Sequence, residues 1–115
     1  MKKLIISTLT VLALSGCSSP KDEATEIAQK ACLADKNSDM RSMAKYVSAE
    51  ILEENKQAHK MLGNGLKGFL KMQNCDVENT TETEDGRFVV SFKKHSSYVV
   101  GEINGDLKVV EDKYF

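Results

Sequence analysis

Residues 98–112 read "YVVGEINGDLKVVED", and Asn104-Gly105 stands at the centre of the stretch. Tyr98 and Val100 alternate with other residues before it, and Leu107 and Val109 do so after it. A period of two puts side chains of equal parity on one face of a strand. Asn and Gly both tolerate positive φ, which a two-residue hairpin turn requires. The stretch therefore predicts two antiparallel strands at the end of the chain. Working outward, Phe88, Val90 and Phe92 alternate behind an Asp85-Gly86 turn, and Cys75, Val77, Asn79 and Thr81 alternate before it. The expectation is a meander of about four strands.

Upstream of Cys75 the period changes. Ser19-Pro20-Lys21-Asp22 has a serine suited to an N-cap, a proline at the first helical position and a carboxylate three residues after the cap. Ala24, Ile27, Ala28, Ala31 and Cys32 then fill the i, i+3, i+4, i+7, i+8 stripe of an amphipathic helix. After a break at Asp35–Ser38, Met40, Met43, Ala44 and Val47 repeat the pattern in a shorter helix capped by Ser38. Ser48 caps a third helix to about Leu62, with Ile51, Ala58, Met61 and Leu62 on its apolar side and Glu53, Asn55, Lys56 and His59 on a solvated one. Gly63-Asn64-Gly65 ends it, and Leu66, Phe69 and Leu70 suit a further apolar turn. Helices followed by strands make an α+β domain, with N-terminal helices packed on an antiparallel sheet.

The bulk numbers exclude some roles. The 115 residues are 41% hydrophobic and 29% charged, enough apolar content for one folded domain rather than disorder. A net charge of -1 leaves no basic footprint for nucleic acid. Cys17, Cys32 and Cys75 show none of the close spacings of zinc or redox motifs. His59 and His95 lack a partner at i+3 or i+4 and read as surface histidines, His95 near a turn. Tyr46, Tyr98 and Asp76 are the residue types of a proton-abstracting pocket, but no motif groups them. No metal, cofactor or nucleophilic triad is expected, and the chain is not expected to be an enzyme.

The N-terminus is more specific. Lys2 and Lys3 precede an apolar run from Leu4 to Leu14. As a helix it would reach roughly 16 Å, half of a bilayer's hydrocarbon core, which fits a secretory signal better than a membrane span. Leu14-Ser15-Gly16-Cys17 closes the segment and resembles the lipobox of bacterial lipoproteins. The resemblance implies that a signal peptidase recognises Leu14, Ser15 and Gly16 and cuts before Cys17, whose thiol carries a diacylglycerol. It also implies acylation of the new amine by a chain of the palmitate class. Residues 1–16 are then the signal peptide, 17–19 the lipidated N-terminus with a short tether, and 20–115 a single α+β domain.

Such a protein is membrane-bound through the lipid on Cys17 and resides in the cell envelope. Ser18 is not the aspartate that resembles an inner-membrane retention signal. The periplasmic leaflet of the outer membrane is therefore expected in a Gram-negative host, and the outer face of the plasma membrane otherwise. Cleavage removes Lys2 and Lys3, taking 16 basic residues to 14 against 17 acidic ones, a net of -3. On that sum the domain gains nothing from anionic headgroups. Cys32 and Cys75 are left over in an oxidising compartment, where they either form a disulfide or remain two buried thiols.

The stretches "ACLADKNSDMRSMAKYVSAE" (31–50) and "YVVGEINGDLKVVED" (98–112) resemble small bacterial lipoproteins with a lumazine-binding-like domain of the nuclear-transport-factor-like superfamily. That group usually carries tryptophan at the position of Leu107. The resemblance implies a cone-like architecture, a sheet curved around a helix with a pocket at the open end. The expected role is a non-catalytic binding or envelope-associated module with an envelope protein as partner. The alternative is a small-molecule carrier or pocket enzyme of that superfamily, and a third reading is a structural envelope protein without a specific ligand.

Overall fold

A computed structural model describes residues 19–113. The cleavage motif and Cys17 lie outside the described residues. Four helices, α1 (Pro20–Lys36), α2 (Met40–Tyr46), α3 (Ala49–Leu62) and α4 (Asn64–Lys71), precede three strands, β1 (Asn74–Glu82), β2 (Phe88–Ile103) and β3 (Asp106–Lys113). The architecture is α+β, with helices packed against one antiparallel sheet ordered β1-β2-β3.

α1 begins where its cap lies. The Ser19 hydroxyl accepts from the Asp22 N–H at 3.2 Å, and Pro20, with no N–H to satisfy, opens the first turn. Its alanines explain the close approach to the sheet: Ala24, Ala28, Ala31 and Cys32 are fully buried. α2 is capped by Asp39, not Ser38; Asp39 accepts from the Ser42 N–H at 3.1 Å, while Ser38 takes a left-handed φ of 55° in the turn. Ser48 does cap α3, and its own N–H donates to the Val109 carbonyl at 2.8 Å, tying the α2–α3 junction to β3.

Among the described residues the sheet has three strands where about four were expected. The difference lies at Lys93–Ser97, a polar run that reads as a break. Here it stays extended, so Phe88–Ile103 is one strand of 16 residues. β1 pairs with its first half, from Glu82↔Phe88 to Asn74↔Lys94. β3 pairs with the second half, from Ser97↔Lys113 to Ile103↔Asp106 around the predicted Asn104-Gly105 turn, where both residues have positive φ.

Irregular pairing in β1 also changes which side chains face inward. The register shifts between Val77 and Asn79, where two β1 residues oppose one of β2. Beyond it Thr80 is buried in place of Asn79 and Thr81. Thr25 already donates to the Lys21 carbonyl, so Thr80 donates its hydroxyl to Thr25 across 2.7 Å. The core is built from the α1 stripe, Met43, Val47 and Ile51, and from Phe88, Val90, Phe92, Tyr98, Val100 and Val109 of the sheet. Met61 and Leu62, expected on the apolar side of α3, are 81% and 60% exposed, because that helix runs past the edge of the core.

Candidate functional site

The extended Lys93–Ser97 run carries His95 into the interior, opposite the end of α1. Its Nε2 lies 3.0 Å from Asp35 Oδ2, and the two side chains are only 3% and 9% exposed. Its Nδ1 lies 2.8 Å from the Ser96 carbonyl oxygen. A carbonyl only accepts, so Nδ1 carries a proton; a carboxylate beside Nε2 calls for a second. The geometry therefore favours the imidazolium. Burial works against that charge, but the Asp35 hydrogen bond, the Ser96 carbonyl and the charges of Asp35 and Asp112 outweigh it, and His95 titrates above the ordinary histidine value of 6.5. The Tyr98 hydroxyl sits 3.4 Å from Nε2. Phe92, His95 and Tyr98 pack edge to face, with ring centroids 5.0 to 5.6 Å apart.

This pair forms one wall of a cavity of about 620 Å³ between α3, α4 and the middle of β2. Ala58, Leu66, Phe69, Leu70 and Phe92 supply apolar lining, and Glu78 and Lys93 are exposed at its rim. Asn55, which also lines it, points an amide hydrogen toward the Met43 sulfur at 3.7 Å. Two further acids face the space, and both are engaged: Asp35 with His95, and Asp112 as acceptor from the Ser96 hydroxyl. A histidine whose two nitrogens both donate offers no lone pair to a substrate proton. As an imidazolium it can donate a proton but cannot accept one.

The structure brings Cys32 and Cys75 together, with sulfurs 2.05 Å apart, fastening the end of α1 to the start of β1. A sequence separation of 43 would give such a link about 4 kcal/mol of stability through loop closure. Gln29 reaches the Cys75 carbonyl beside it at 3.4 Å.

The candidate pocket residues do not meet. Tyr98 belongs to the His95 cluster, Tyr46 lies beside α1 with Lys30 Nζ 5.8 Å from its ring and outside the cavity lining, and Asp76 is exposed at the head of β1. His59, placed on a solvated face by sequence, is half-buried, and its Nε2 has no hydrogen-bond partner. His95 is not a surface residue near a turn; it is buried at mid-strand. Sequence reasoning missed its pairing with Asp35 because Asp35 opens an apparent loop and 60 residues separate the two. Parity gave no signal either: Phe88, Val90 and Phe92 put even positions inward, which predicts Lys94 inside and His95 outside, whereas Lys94 is exposed and the His95 side chain is buried.

Among the described residues no group of three or more His, Cys, Asp or Glu side chains is placed to hold a metal ion. No helix there is long and apolar enough to cross a membrane. No protein-family model matches the chain, and no curated protein or solved structure does either.

Proposed function

We propose that this chain is a lipid-anchored bacterial envelope protein whose folded domain binds and does not catalyse. The anchor rests on Leu14-Ser15-Gly16-Cys17 behind a short apolar run. α1 starts at Pro20, with Ser19 as its cap, so Ser18 alone lies between the acylated residue and the capped helix. In the oxidising compartment outside the inner membrane, the Cys32–Cys75 pair would persist as a disulfide.

The observation that carries the binding role is the commitment of the cavity's ionisable wall. Asp35, His95 and Asp112, the ionisable groups inside the cavity, are engaged with one another or with the backbone and Ser96; Glu78 and Lys93 stand at the exposed rim, and most of the remaining lining is apolar. An envelope protein presenting an apolar segment is the partner this cavity fits. A second reading, a small-molecule carrier, is favoured by the volume itself, since about 620 Å³ falls in the ordinary range for small-ligand sites. The cone-like architecture of the nuclear-transport-factor-like superfamily remains part of the proposal. A 16-residue central strand with register shifts on both sides, laid against α1, supports it.

Intact mass of the protein from its native host tests the anchor. A chain beginning at Cys17 with added acyl mass is expected, and Cys17→Ser should abolish the addition; a full-length unmodified chain would refute the reading. Photocrosslinking from Leu66 in native membranes tests the partner. A defined adduct with an envelope protein supports the binding role. Adducts to lipid alone, or to none, count against a protein partner.

A further inference from the structure

The net charge of -1 conceals an uneven distribution. From Asn55 to Cys75 there is no Asp or Glu, while Lys56, Lys60, Lys67 and Lys71 fall within the run. It covers the second half of α3, all of α4 and the head of β1. The exposed large hydrophobic residues gather in the same place. Met61 is 81% exposed, Met72 75%, Leu62 60% and Phe69 59%. Leu33 of α1, 46% exposed, lines one shallow cleft with Lys36, Lys71 and Met72. α4 buries only Leu70, and it contains Gly65 and Gly68 at positions where a Cβ would meet nothing within 4 Å. Packing does not demand those glycines; they leave a weak, adaptable helix.

We propose that this corner docks on the surface of an anionic phospholipid bilayer, the membrane to which the lipid on Cys17 holds the chain. Methionine, leucine and phenylalanine left in water, interspersed with lysines along a run from Asn55 to Cys75 that holds no carboxylate, have the chemistry of a segment that enters the headgroup region. The acids near this corner are Asp76, which shares the Leu33 cleft with Lys94, Glu78 at the cavity rim with Lys93, and Asp35 and Asp112, which line the cavity beside Phe69 and are bonded to His95 and Ser96. The sum of charges, on which the domain gains nothing from anionic headgroups, does not govern here; the local field does.

The placement fixes an orientation. Helix α1 has 17 residues, a length of about 25 Å, with the anchor at its start and the basic corner at its end. Both can touch one membrane only if α1 lies along the surface. The domain then rests on its side at two points rather than standing on its lipid. Tethering makes the second contact intramolecular, so a modest patch suffices. The location of the membrane rests on the anchor reading; the docking chemistry does not.

The test uses the mature lipidated protein, with Cys32 and Cys75 paired and an environment-sensitive fluorophore on Phe69→Cys. It is reconstituted into vesicles of phosphatidylcholine with phosphatidylglycerol, or of phosphatidylcholine alone, each with a spin-labelled lipid as quencher. Blue-shifted, quenched emission is expected in the anionic vesicles and a smaller effect in the neutral ones. The effect should weaken in about 1 M salt, where the screening length falls to roughly 3 Å. It should be lost in Lys67→Glu/Lys71→Glu; the salt series on the unsubstituted lysines gives the same information if that variant does not fold. Emission of a water-exposed dye while the protein co-floats with anionic vesicles would overturn the docking and leave the anchor standing. Absence of acyl mass in the same sample would instead sink the anchor, with the dye still reporting on the corner. A shift seen only in native membranes that retain their proteins would overturn the proposal in favour of an acidic protein partner.

Discussion

Asp35→Asn tests the buried pair most directly, because asparagine keeps the shape and an acceptor oxygen while removing the charge. Two opposite charges near 4 Å interact by about 4 kcal/mol at an effective dielectric of 20, and removing one partner of a buried pair costs roughly 3 kcal/mol or more. The separation here is 3.0 Å, with side chains 3% and 9% exposed, so little solvent screens it. The cost depends on pH. The folded pKa of His95 is raised above its ordinary value of 6.5, so the pair's contribution is fully present below about pH 6.5 and fades as pH rises through the folded value. At pH 6, Asp35→Asn should therefore lose about 3 kcal/mol. As pH rises through the folded value toward 9, the imidazole loses its charge and leaves an ordinary hydrogen bond, and the loss should fall toward about 1 kcal/mol. Urea unfolding followed by far-ultraviolet circular dichroism, with both proteins at both pH values, measures the difference. Equal costs at pH 6 and pH 9 would refute the reasoning, since they would mean that the charge of His95 does not change between them.

Reducing the Cys32–Cys75 link, or replacing both cysteines with serine, should lower unfolding stability by about 4 kcal/mol, read from denaturant midpoints with and without reductant. Ser48→Ala removes the hydroxyl that accepts from the Ile51 N–H at 3.2 Å and should cost about 1 kcal/mol, seen as a lower melting temperature. Gly101→Ala places a Cβ about 3.1 Å from Arg87 Cδ and 3.3 Å from Cγ. The arginine must move from its 2.8 Å pairing with Glu111; that pair is largely exposed, so the thermal midpoint should drop only slightly.

What the sequence makes legible is what local chemistry determines. The Ser19 cap, Pro20 and the alanine stripe define α1 because each acts within a few residues of itself. Asn104-Gly105 defines the last hairpin because its turn requires two positive φ values. The β1 phase error arose where the register shift near Val77–Asn79 inserts an extra residue, and nothing in Asp76–Thr81 signals it. The exposure of Met61 and Leu62 depends on where the sheet ends, which is a tertiary fact. His95 was misplaced for a related reason: lysine, histidine and serine have the composition of a turn, and pairing on both sides overrides it. Local pattern could not define the cavity's lining, since α1, α3, α4, β1, β2 and β3 must all be in place before it exists; a pocket was expected only through the family resemblance. Only Cys32 and Cys75 announced a distant pairing, through compartment logic rather than pattern.

The 16-residue strand has a consequence for how the molecule assembles and opens. β1 and β3 bind different halves of it, so the sheet is two local hairpins in series, each closed by a short loop. Neither hairpin needs the other to form, and most strand contacts are near in sequence, which favours quick assembly. They are fastened to the helices by different means. The first is stitched to α1 through Cys32–Cys75, and the second hangs from the α2–α3 junction through Val47, Ser48 and Val109. His95 sits at the joint. Amide exchange should divide there, with Asn74–Lys94 protected to a deeper opening energy than Ser97–Lys113. The histidine pair that shuts the cavity wall is thus also the seam along which the sheet parts into its two folding units.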